Sequence, residues 1–200
     1  FPWLQHLYPI WAGLKPEMIT ASSKLAMAEL LLSGCTTTTD HHYVFPDGHE
    51  DSIDRQVAAA RELGIRLVAT RGSMSLSVDD GGLPPASVVQ REDAIMADSQ
   101  RLIAAHHDPK PFAMTQIALA PCSPFSVTKQ LMIDAAQLAK QEGVLLHTHL
   151  AETHDENDFC QEAMGCRPID YVEDCGWLET KSWFAHGVHF NEGEWARMAR

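Results

Sequence analysis

The sequence predicts an α/β fold in which parallel strands alternate with helices and form an incomplete (β/α)8 barrel. Five short apolar or β-branched segments alternate with segments of helical periodicity along the 200 residues, which indicates a parallel sheet with crossover helices. Polar residues follow each strand segment at its C-terminal end, where barrels carry their binding sites. An open doubly wound sheet gathers its ligand groups at one switch point, usually after a glycine-rich turn, and the sequence contains no G-x-G-x-x-G.

The first half of the chain is predicted to contain two helices and two strands. Residues 16–33 and 51–63 show helical spacing of apolar residues, and a glycine that would end a helix follows each segment. Residues 35–39 and 65–70 are short β-branched or apolar runs that are typical of strands. Residues 72–86 carry a pair of glycines and a pair of prolines and are expected to form a long loop, a feature that is often functional.

The second half of the chain repeats this order of elements. We expect strands over residues 116–120, 144–150 and 182–185, and helices over residues 87–105, 127–142, 155–164, 168–175 and from 192 onward. Ser87 is expected to be the N-cap of the first of these helices, because its hydroxyl can accept a hydrogen bond from a free backbone N–H. Together the two halves predict five strands, too few to close a barrel.

Composition and charge exclude several classes of protein. Apolar residues make up 45% and charged residues 21% of the chain, an ordinary globular balance. Fifteen Lys and Arg against 27 Asp and Glu give a formal charge of −12, so we expect binding neither to nucleic acid nor to an anionic membrane. The apolar runs are far shorter than the roughly 20 residues of a membrane span. Five cysteines without a C-x-x-C pair indicate reduced thiols, and we expect a soluble, cytoplasmic protein.

The densest group of chemically active residues lies at the end of the strand predicted over residues 144–150. His147 and His149 are two positions apart, so a strand presents both rings on one face, and Glu152 follows just past the strand end. Imidazoles in an apolar strand cost free energy unless they bind a partner, and a metal ion is one such partner. The alternative is that the two histidines donate and accept hydrogen bonds in a polar core.

Two further strand ends carry histidines. His186 ends the next strand along the chain, so in a barrel it would lie beside His149 and could bind a metal ion or contact a water on it. His189 lies farther into the following loop and is expected to be solvated. His41 and His42 follow the first strand, and because adjacent strand residues point to opposite faces, at most one of these rings can point inward.

Other polar residues at strand ends are candidates for contact with a substrate. Arg71 ends the second predicted strand, and Cys122 and Ser123 lie between two prolines after the third. We expect these groups, with His42 at the rim of the pocket, to contact the substrate. A rigid two-proline turn is an equally good interpretation of the segment around Cys122, and no base can be assigned to a nucleophilic thiol there.

Three common catalytic signatures are missing from the sequence. It contains neither the H-E-x-x-H of zinc metalloproteases nor the G-x-S-x-G of lipases and esterases. The H-x-E…P-C-x-x-C signature of base-flipping cytidine deaminases is also missing, because no cysteine stands three residues after Cys122.

Two motifs together resemble the amidohydrolase superfamily, and more narrowly its metal-dependent branch that deaminates purines, pyrimidines and s-triazines. They are the run His-Thr-His-Leu-Ala-Glu-Thr that ends at Thr153 and the run Ala-His-Gly-Val-His that begins one residue before His186. The resemblance implies that His149 is a metal ligand, that Glu152 transfers protons, and that His186 holds the hydrolytic water or touches the metal.

The resemblance covers essentially the whole chain and implies an activity. Through the segments that begin at Asp40, Arg71 and Ala120, the resemblance implies hydrolytic deamination of an aminopurine, with 8-oxoguanine as the substrate and urate and ammonia as the products. An s-triazine (hydroxyatrazine-type) aminohydrolase or another amidohydrolase with the same centre is the first alternative. A non-catalytic α/β binding domain with hydrogen-bonded histidines is an alternative of another class.

The resemblance also implies a cofactor and an incomplete domain. One Zn²⁺ per subunit is expected, with Fe²⁺ as the alternative, and the partner is a small heterocyclic substrate; a homo-oligomer is compatible with this. The superfamily's H-x-H pair and its final Asp have no counterpart in residues 1–200. We therefore expect residues 1–200 to be the central part of one barrel domain, about strands two to six, truncated at both ends and inactive alone.

Overall fold

The chain forms a curled sheet of five parallel strands, with helices packed against one face. The computed structural model describes residues 1–46 and 49–199. The strands are β1 (Thr37–Thr39), β2 (Arg66–Ser73), β3 (Thr115–Pro121), β4 (Leu145–Leu150) and β5 (Ser182–His186). Each strand pairs in parallel with the next one along the chain. A doubly wound sheet reverses its strand order at a switch point, so this sequential order confirms the incomplete barrel.

The helices alternate with the strands, as the sequence predicts. Those of the described residues are α1 (Pro2–Trp11), α2 (Pro16–Leu32), α3 (Ser52–Leu63), α4 (Glu92–His106), α5 (Lys129–Glu142), α6 (His154–Met164), α7 (Pro168–Asp174) and α8 (Glu192–Met198). Left-handed glycines end α3 and α5 where the sequence predicts, with φ values of 76° at Gly64 and 70° at Gly143. The strand ends lie within three residues of the predicted ones.

Helix α1 is the element that the sequence analysis missed. Its interior contains Pro9, which normally argues against a helix because proline lacks the N–H and crowds the preceding turn. Tertiary packing outweighs that cost here. Tyr8 is buried, and its ring lies 5.8 Å from that of Trp11, which in turn lies 6.3 Å from the ring of Tyr43. Apolar residues at helical spacing were therefore the available signal, and the proline obscured it.

The predicted start of helix α4 at Ser87 is wrong. Ser87 lies in a short 3₁₀ turn over Ala86–Val88, and the chain is extended at Val89 before α4 begins. Buried Val88 anchors this turn in a small apolar cluster. The helix begins instead at Glu92, whose side chain, together with the next carboxylate, lies in the first turn, where negative charge is favourable.

The two faces of the sheet have different neighbours. Leu119 of β3 and Leu146 of β4 belong to the largest apolar cluster, in which they pack with helix residues such as Val57 of α3. Side chains alternate along a strand, so His147 and His149 of β4 lie on the opposite, concave face. The strand pattern thus separates an apolar core under the helices from a polar interior, as a barrel requires.

The helices are all short. Among the residues that the structure describes, none has both the length and the apolar character that a transmembrane span needs. The longest, α2, has 17 residues and carries Glu17 in its first turn. The charged and small residues on α2 fit a helix that lies at the surface of a barrel.

Strand β2 approaches the segment after β1 so closely that only glycine fits at one position. The Gly72 N–H donates a hydrogen bond to the His42 carbonyl oxygen at 3.0 Å. A Cβ on Gly72 would lie 2.2 Å from that oxygen and 2.8 Å from the Cβ of Tyr43. Both distances are far inside van der Waals contact, so any larger residue must push the 41–43 segment away from the sheet.

We predict that Gly72→Ala destabilises the full-length protein by about 2 kcal/mol or more, because overpacking forces a backbone shift. Urea unfolding followed by circular dichroism measures the change. Gly13→Ala is the matched control: its Cβ meets only the Ile10 carbonyl oxygen at 3.3 Å, and we expect a loss below about 1 kcal/mol. Equal stability of the two variants would contradict the close approach of β2 to this segment.

Candidate active site

A cavity of about 160 Å³ lies at the C-terminal edge of the sheet. Strand β4, the end of β5 and the turns after β3 and β4 supply most of its walls, and helix α1 and the segment after β1 supply the rest. Its lining residues are Trp3, Leu4, Tyr43, Cys122, Phe125, His149, Glu152 and His186. The structure therefore brings together, at one strand-end face, the three residues to which the resemblance assigns metal and proton-transfer roles, His149, Glu152 and His186.

His149 is held in the tautomer that suits a metal ligand. Its Nδ1 lies 2.8 Å from the carbonyl oxygen of Cys122. A carbonyl can only accept, so Nδ1 carries the hydrogen and Nε2 keeps its lone pair. Burial lowers the pKa of His149, and the neighbouring His186 lowers it further. The ring is therefore neutral at pH 7, which is the form that binds a metal.

His147 lies on the same face of β4 but has different partners. Its Nδ1 lies 3.0 Å from the Trp183 carbonyl oxygen, and its ring stacks on the Trp183 ring at 4.4 Å. Burial lowers the pKa of His147 to about 4, so this ring is also neutral. It does not line the cavity. His147 is therefore a hydrogen-bonded histidine of a polar core, which is the alternative to a metal ligand that the sequence left open.

Of the adjacent pair after β1, His41 faces the histidine cluster and His42 does not. The His41 ring stacks on His149 with a centroid separation of 4.5 Å and an interplanar angle of 10°, and its Nε2 lies 2.9 Å from the Ala120 carbonyl oxygen. His42 packs against the ring of Phe45 at 4.9 Å, outside the cavity lining. The expectation that His42 forms the pocket rim is corrected: the inward ring is that of His41.

Glu152 and His186 form a close pair at the mouth of the cavity. His186 Nε2 lies 3.5 Å from Glu152 Oε1, and the side chains are 36% and 37% exposed. The rings of His186 and His149 are 5.4 Å apart. A carboxylate and an imidazole at this distance, both open to a ligand, can pass a proton between a water and a substrate.

A left-handed backbone conformation directs the His186 side chain toward the cavity. In the register His186 is the partner of Leu150, a core residue under the helices, so strand alternation would place both on that face. His186 instead has φ of 76°, and Ala151, which follows β4, has φ of 54°. Each such residue costs about 1–2 kcal/mol, and this kind of strain is concentrated at active sites.

Helix α1 closes one side of the cavity. Trp3 and Leu4 line it, and the ring of Tyr43 stands edge-on to that of His149 at 5.7 Å. Because Pro9 obscured this helix, sequence reasoning missed its contribution to the lining. Tyr43, from the segment after β1, and Phe125, from the turn after β3, complete the aromatic part of the lining. The cavity is thus apolar and aromatic on one side and carries ionisable groups on the other.

Cys122 lines the cavity, whereas Ser123 does not. The Cys122 side chain is only 4% exposed, and burial raises the pKa of its thiol to about 12. The thiolate that a nucleophile needs is therefore scarce at pH 7. Ser123 is buried, with its Oγ 2.6 Å from that of Ser126. The expected contact of Ser123 with a substrate is corrected: its hydroxyl is hydrogen-bonded to that of Ser126 within the turn after β3.

Arg71 also lies away from the cavity. It shares the helix-facing side of β2 with core residues, and its side chain is fully buried. Nε donates to Asp98 at 2.7 Å, one Nη donates to Gln90 at 2.9 Å, and the guanidinium lies 4.2 Å above the ring of Phe45. The expected substrate contact of Arg71 is corrected: this side chain ties β2 to α4.

The residues present fit part of a zinc site. Neutral imidazole is a preferred zinc ligand, and His149 offers a free Nε2. Within residues 1–46 and 49–199, no group of three or more His, Cys, Asp or Glu is arranged to hold a metal ion. A catalytic zinc typically has three protein ligands, so the described residues supply only part of such a set.

We predict that Asp98→Ala lowers the stability of the full-length protein by about 3–5 kcal/mol, because it leaves the buried Arg71 charge without its carboxylate partner. Asp93→Ala is the control, since Asp93 pairs with Arg91 at the surface, where both side chains are more than 60% exposed, and it should cost at most about 1 kcal/mol. Chemical denaturation measures both. A small loss for Asp98→Ala would overturn the structural role of Arg71.

Comparison with known proteins places this geometry in a family. The model of the amidohydrolase family matches residues 2–200. The chain is 56% identical to 8-oxoguanine deaminase of Pseudomonas aeruginosa over 99% of its own length and 44% of that protein's, and 37% identical to hydroxydechloroatrazine ethylaminohydrolase of a Pseudomonas species over 98% and 41%. It therefore spans less than half the length of these relatives.

A solved structure gives the same result for the fold. The zinc complex of atrazine chlorohydrolase from Arthrobacter aurescens superposes with a TM-score of 0.94 at 32% identity, covering 98% of this chain and 45% of that one. The strand order, the convergence of His149, Glu152 and His186, and the family match agree with one another. The chain belongs to the amidohydrolase family.

Proposed function

We propose that the full-length protein is a metal-dependent deaminase that converts 8-oxoguanine and water to urate and ammonia. In this reaction water adds to the amine-bearing ring carbon, the tetrahedral adduct collapses, and the exocyclic C–N bond breaks as ammonia leaves. The observation that carries the proposal is the Glu152–His186 pair beside His149 in one cavity. The 56% identity to 8-oxoguanine deaminase supports this substrate over others.

Residues 1–200 are, in this proposal, the central part of one barrel domain, about strands two to six. The sequential strand order supports this, since a barrel continues the same order on both sides. The coverage of less than half of each relative supports it too. The remaining ligands of a metal site would then come from strand ends outside these residues.

His149 would hold the metal through Nε2, because its Nδ1–H is committed to the Cys122 carbonyl. Zinc is the ion proposed, one per subunit, with Fe²⁺ as the alternative; the related atrazine chlorohydrolase was crystallised with zinc. When bound, the ion would supply Lewis acidity that lowers the pKa of a water toward about 7. The chain's own contribution is to fix the ring orientation and tautomer in advance.

Glu152 and His186 would move the protons. His186 Nε2, at 3.5 Å from Glu152, can accept a hydrogen bond from the attacking water and hold it near the cavity. Glu152 can take a proton from that water and deliver it to a ring nitrogen of the substrate, which makes the amine-bearing carbon more electrophilic. The hydroxyl of the tetrahedral adduct then supplies a second proton, which the same carboxyl can pass to the leaving amine, so that the C–N bond breaks and ammonia departs.

The apolar side of the cavity would hold the heterocycle. Trp3, Tyr43 and Phe125 offer aromatic surfaces to a planar ring, and the Cys122 thiol can contact its edge. A nearly neutral heterocycle needs no electrostatic steering, which agrees with a protein of charge −12. The five unpaired cysteines support a reducing compartment, and we propose a cytoplasmic location.

An s-triazine aminohydrolase is the second candidate. The 37% identity to hydroxydechloroatrazine ethylaminohydrolase and the TM-score of 0.94 against atrazine chlorohydrolase favour it over more distant activities. Steady-state kcat/KM of the full-length protein on 8-oxoguanine, guanine and hydroxyatrazine separates the candidates. The proposal expects the highest kcat/KM on 8-oxoguanine, and a preference for the triazine would replace it with the second candidate.

We predict that Glu152→Gln lowers kcat by about 10²–10⁴-fold, because the amide keeps the shape of the side chain but cannot relay a proton. Zinc content, measured by mass spectrometry, should stay the same. Glu162→Gln, an exposed carboxylate on α6, is the control and should leave kcat unchanged. Full activity of Glu152→Gln, or loss of its zinc along with activity, would contradict the proton-transfer role.

We predict that His149→Ala lowers zinc affinity by at least about 10-fold, since even outer partners of a ligand contribute that much. His189→Ala is the matched control: this ring packs at a tilt against that of His154, with 4.1 Å between the centroids, and lies outside the cavity lining, so the variant should keep its zinc. Unchanged zinc in His149→Ala would favour a non-catalytic binding domain with hydrogen-bonded histidines.

A further inference from the structure

A buried carboxylate lies directly behind the proposed proton-transfer residue. Glu156 is in the first turn of α6, and none of its surface is exposed. Its Oε1 accepts the Ala151 N–H at 2.9 Å, and its Oε2 accepts the Glu152 N–H at 2.7 Å. Both oxygens are thus used on consecutive backbone groups of the turn that carries Glu152.

This arrangement differs from the usual helix cap. In a capping box the third helical residue reaches back to the N–H of the N-cap residue, which here is Thr153. The Thr153 hydroxyl does accept the Glu156 N–H, at 3.2 Å. The Glu156 carboxylate, however, accepts hydrogen bonds from the N–H groups of Ala151 and Glu152, the two residues before Thr153. The cap therefore fixes the active-site turn and not only the helix end.

The turn needs such a hold because its backbone is strained. Ala151 has φ of 54°, a left-handed conformation that is unfavourable for a residue with a Cβ. The two backbone N–H hydrogen bonds to the Glu156 carboxyl group stabilise the turn against this cost. Negative charge at the N-terminus of α6 is itself favourable. Without the carboxylate, the left-handed conformation of Ala151 would lose the hydrogen bonds that stabilise it.

The same turn is tied to the strand that carries His186. The Ala151 carbonyl accepts the His189 N–H at 3.0 Å, and the Leu150 carbonyl accepts the Gly187 N–H at 2.9 Å. Fixing residues 151 and 152 therefore also fixes their position relative to the loop after β5. The 3.5 Å separation of Glu152 and His186 therefore depends both on the turn after β4 and on the loop after β5.

We propose that Glu156 is a positioning residue for the reaction: its carboxylate holds the left-handed turn at Ala151 so that the Glu152 carboxylate stands opposite His186. Glu156 touches neither the cavity nor the substrate, and it acts only through Glu152. This inference rests on the proposed function, because it assigns the purpose of the turn from the role of Glu152.

A double-mutant cycle in the zinc-loaded full-length protein tests it, with 8-oxoguanine as the substrate. Glu156→Gln keeps the volume of the side chain, but its amide nitrogen faces a backbone N–H and one hydrogen bond is lost. We expect kcat to fall by about 10- to 100-fold, as for other misplaced catalytic groups, with KM changed by less than about 3-fold. Glu162→Gln on the same helix is the control and should change neither.

The decisive comparison is in the Glu152→Gln background. If Glu156 acts through Glu152, adding Glu156→Gln there should lower kcat by less than about 3-fold, because the group it positions is already disabled. A merely structural role would give the same loss in both backgrounds, and that result overturns the inference. Glu156→Asp, which keeps the charge on a shorter side chain, completes the same cycle if Glu156→Gln does not fold.

The outcome also separates this inference from the proposed function. Full activity of Glu152→Gln alone would contradict the proton-transfer role and leave nothing for Glu156 to position. A strong effect of Glu152→Gln with multiplicative losses in the cycle would retain the proposed function and overturn only the role of Glu156. A strong effect with non-additive losses supports both.

Discussion

The carbonyl oxygen of Cys122 is the point on which the candidate site depends. It accepts the His149 backbone N–H at 3.0 Å, the His149 Nδ1–H at 2.8 Å and the Thr148 hydroxyl at 3.1 Å. The register pairs β3 and β4 at Leu119 and Leu146, and this carbonyl continues the link to the ends of both strands. One acceptor therefore sets the position of His149 relative to β3 and also decides which ring nitrogen keeps a lone pair.

The remaining geometry follows from how each strand ends. Parallel strands in sequential order bring their C-terminal ends to one edge, so residues far apart in the chain meet there. Regular alternation alone would leave His186 under the helices, and the left-handed backbone at Ala151 and His186 turns the chain toward the cavity. The fold tolerates this strained backbone because core packing and the Arg71–Asp98 pair stabilise the other face of the sheet.

Much of this arrangement could be predicted from the sequence, and the exceptions have physical reasons. The alternation of elements gave the five strands, and the two-residue spacing of His147 and His149 gave their common face. Alternation also places Arg71 with the core side chains of β2, and the prediction failed because it considered only the strand end. The direction of the His186 side chain could not be predicted from strand alternation, because it depends on the left-handed backbone conformation of His186. Helix α1 was hidden by Pro9, whose cost is outweighed only by tertiary contacts.

The central claim is that His149 presents Nε2 to a metal ion beside Glu152 and His186. A crystal structure of the zinc-loaded full-length protein, with anomalous diffraction recorded on both sides of the zinc edge, tests it most directly. We expect a single strong anomalous peak within coordination distance of His149 Nε2, on the cavity side of the ring. A peak bound to His147 or His41 instead, with His149 Nε2 free, would contradict it.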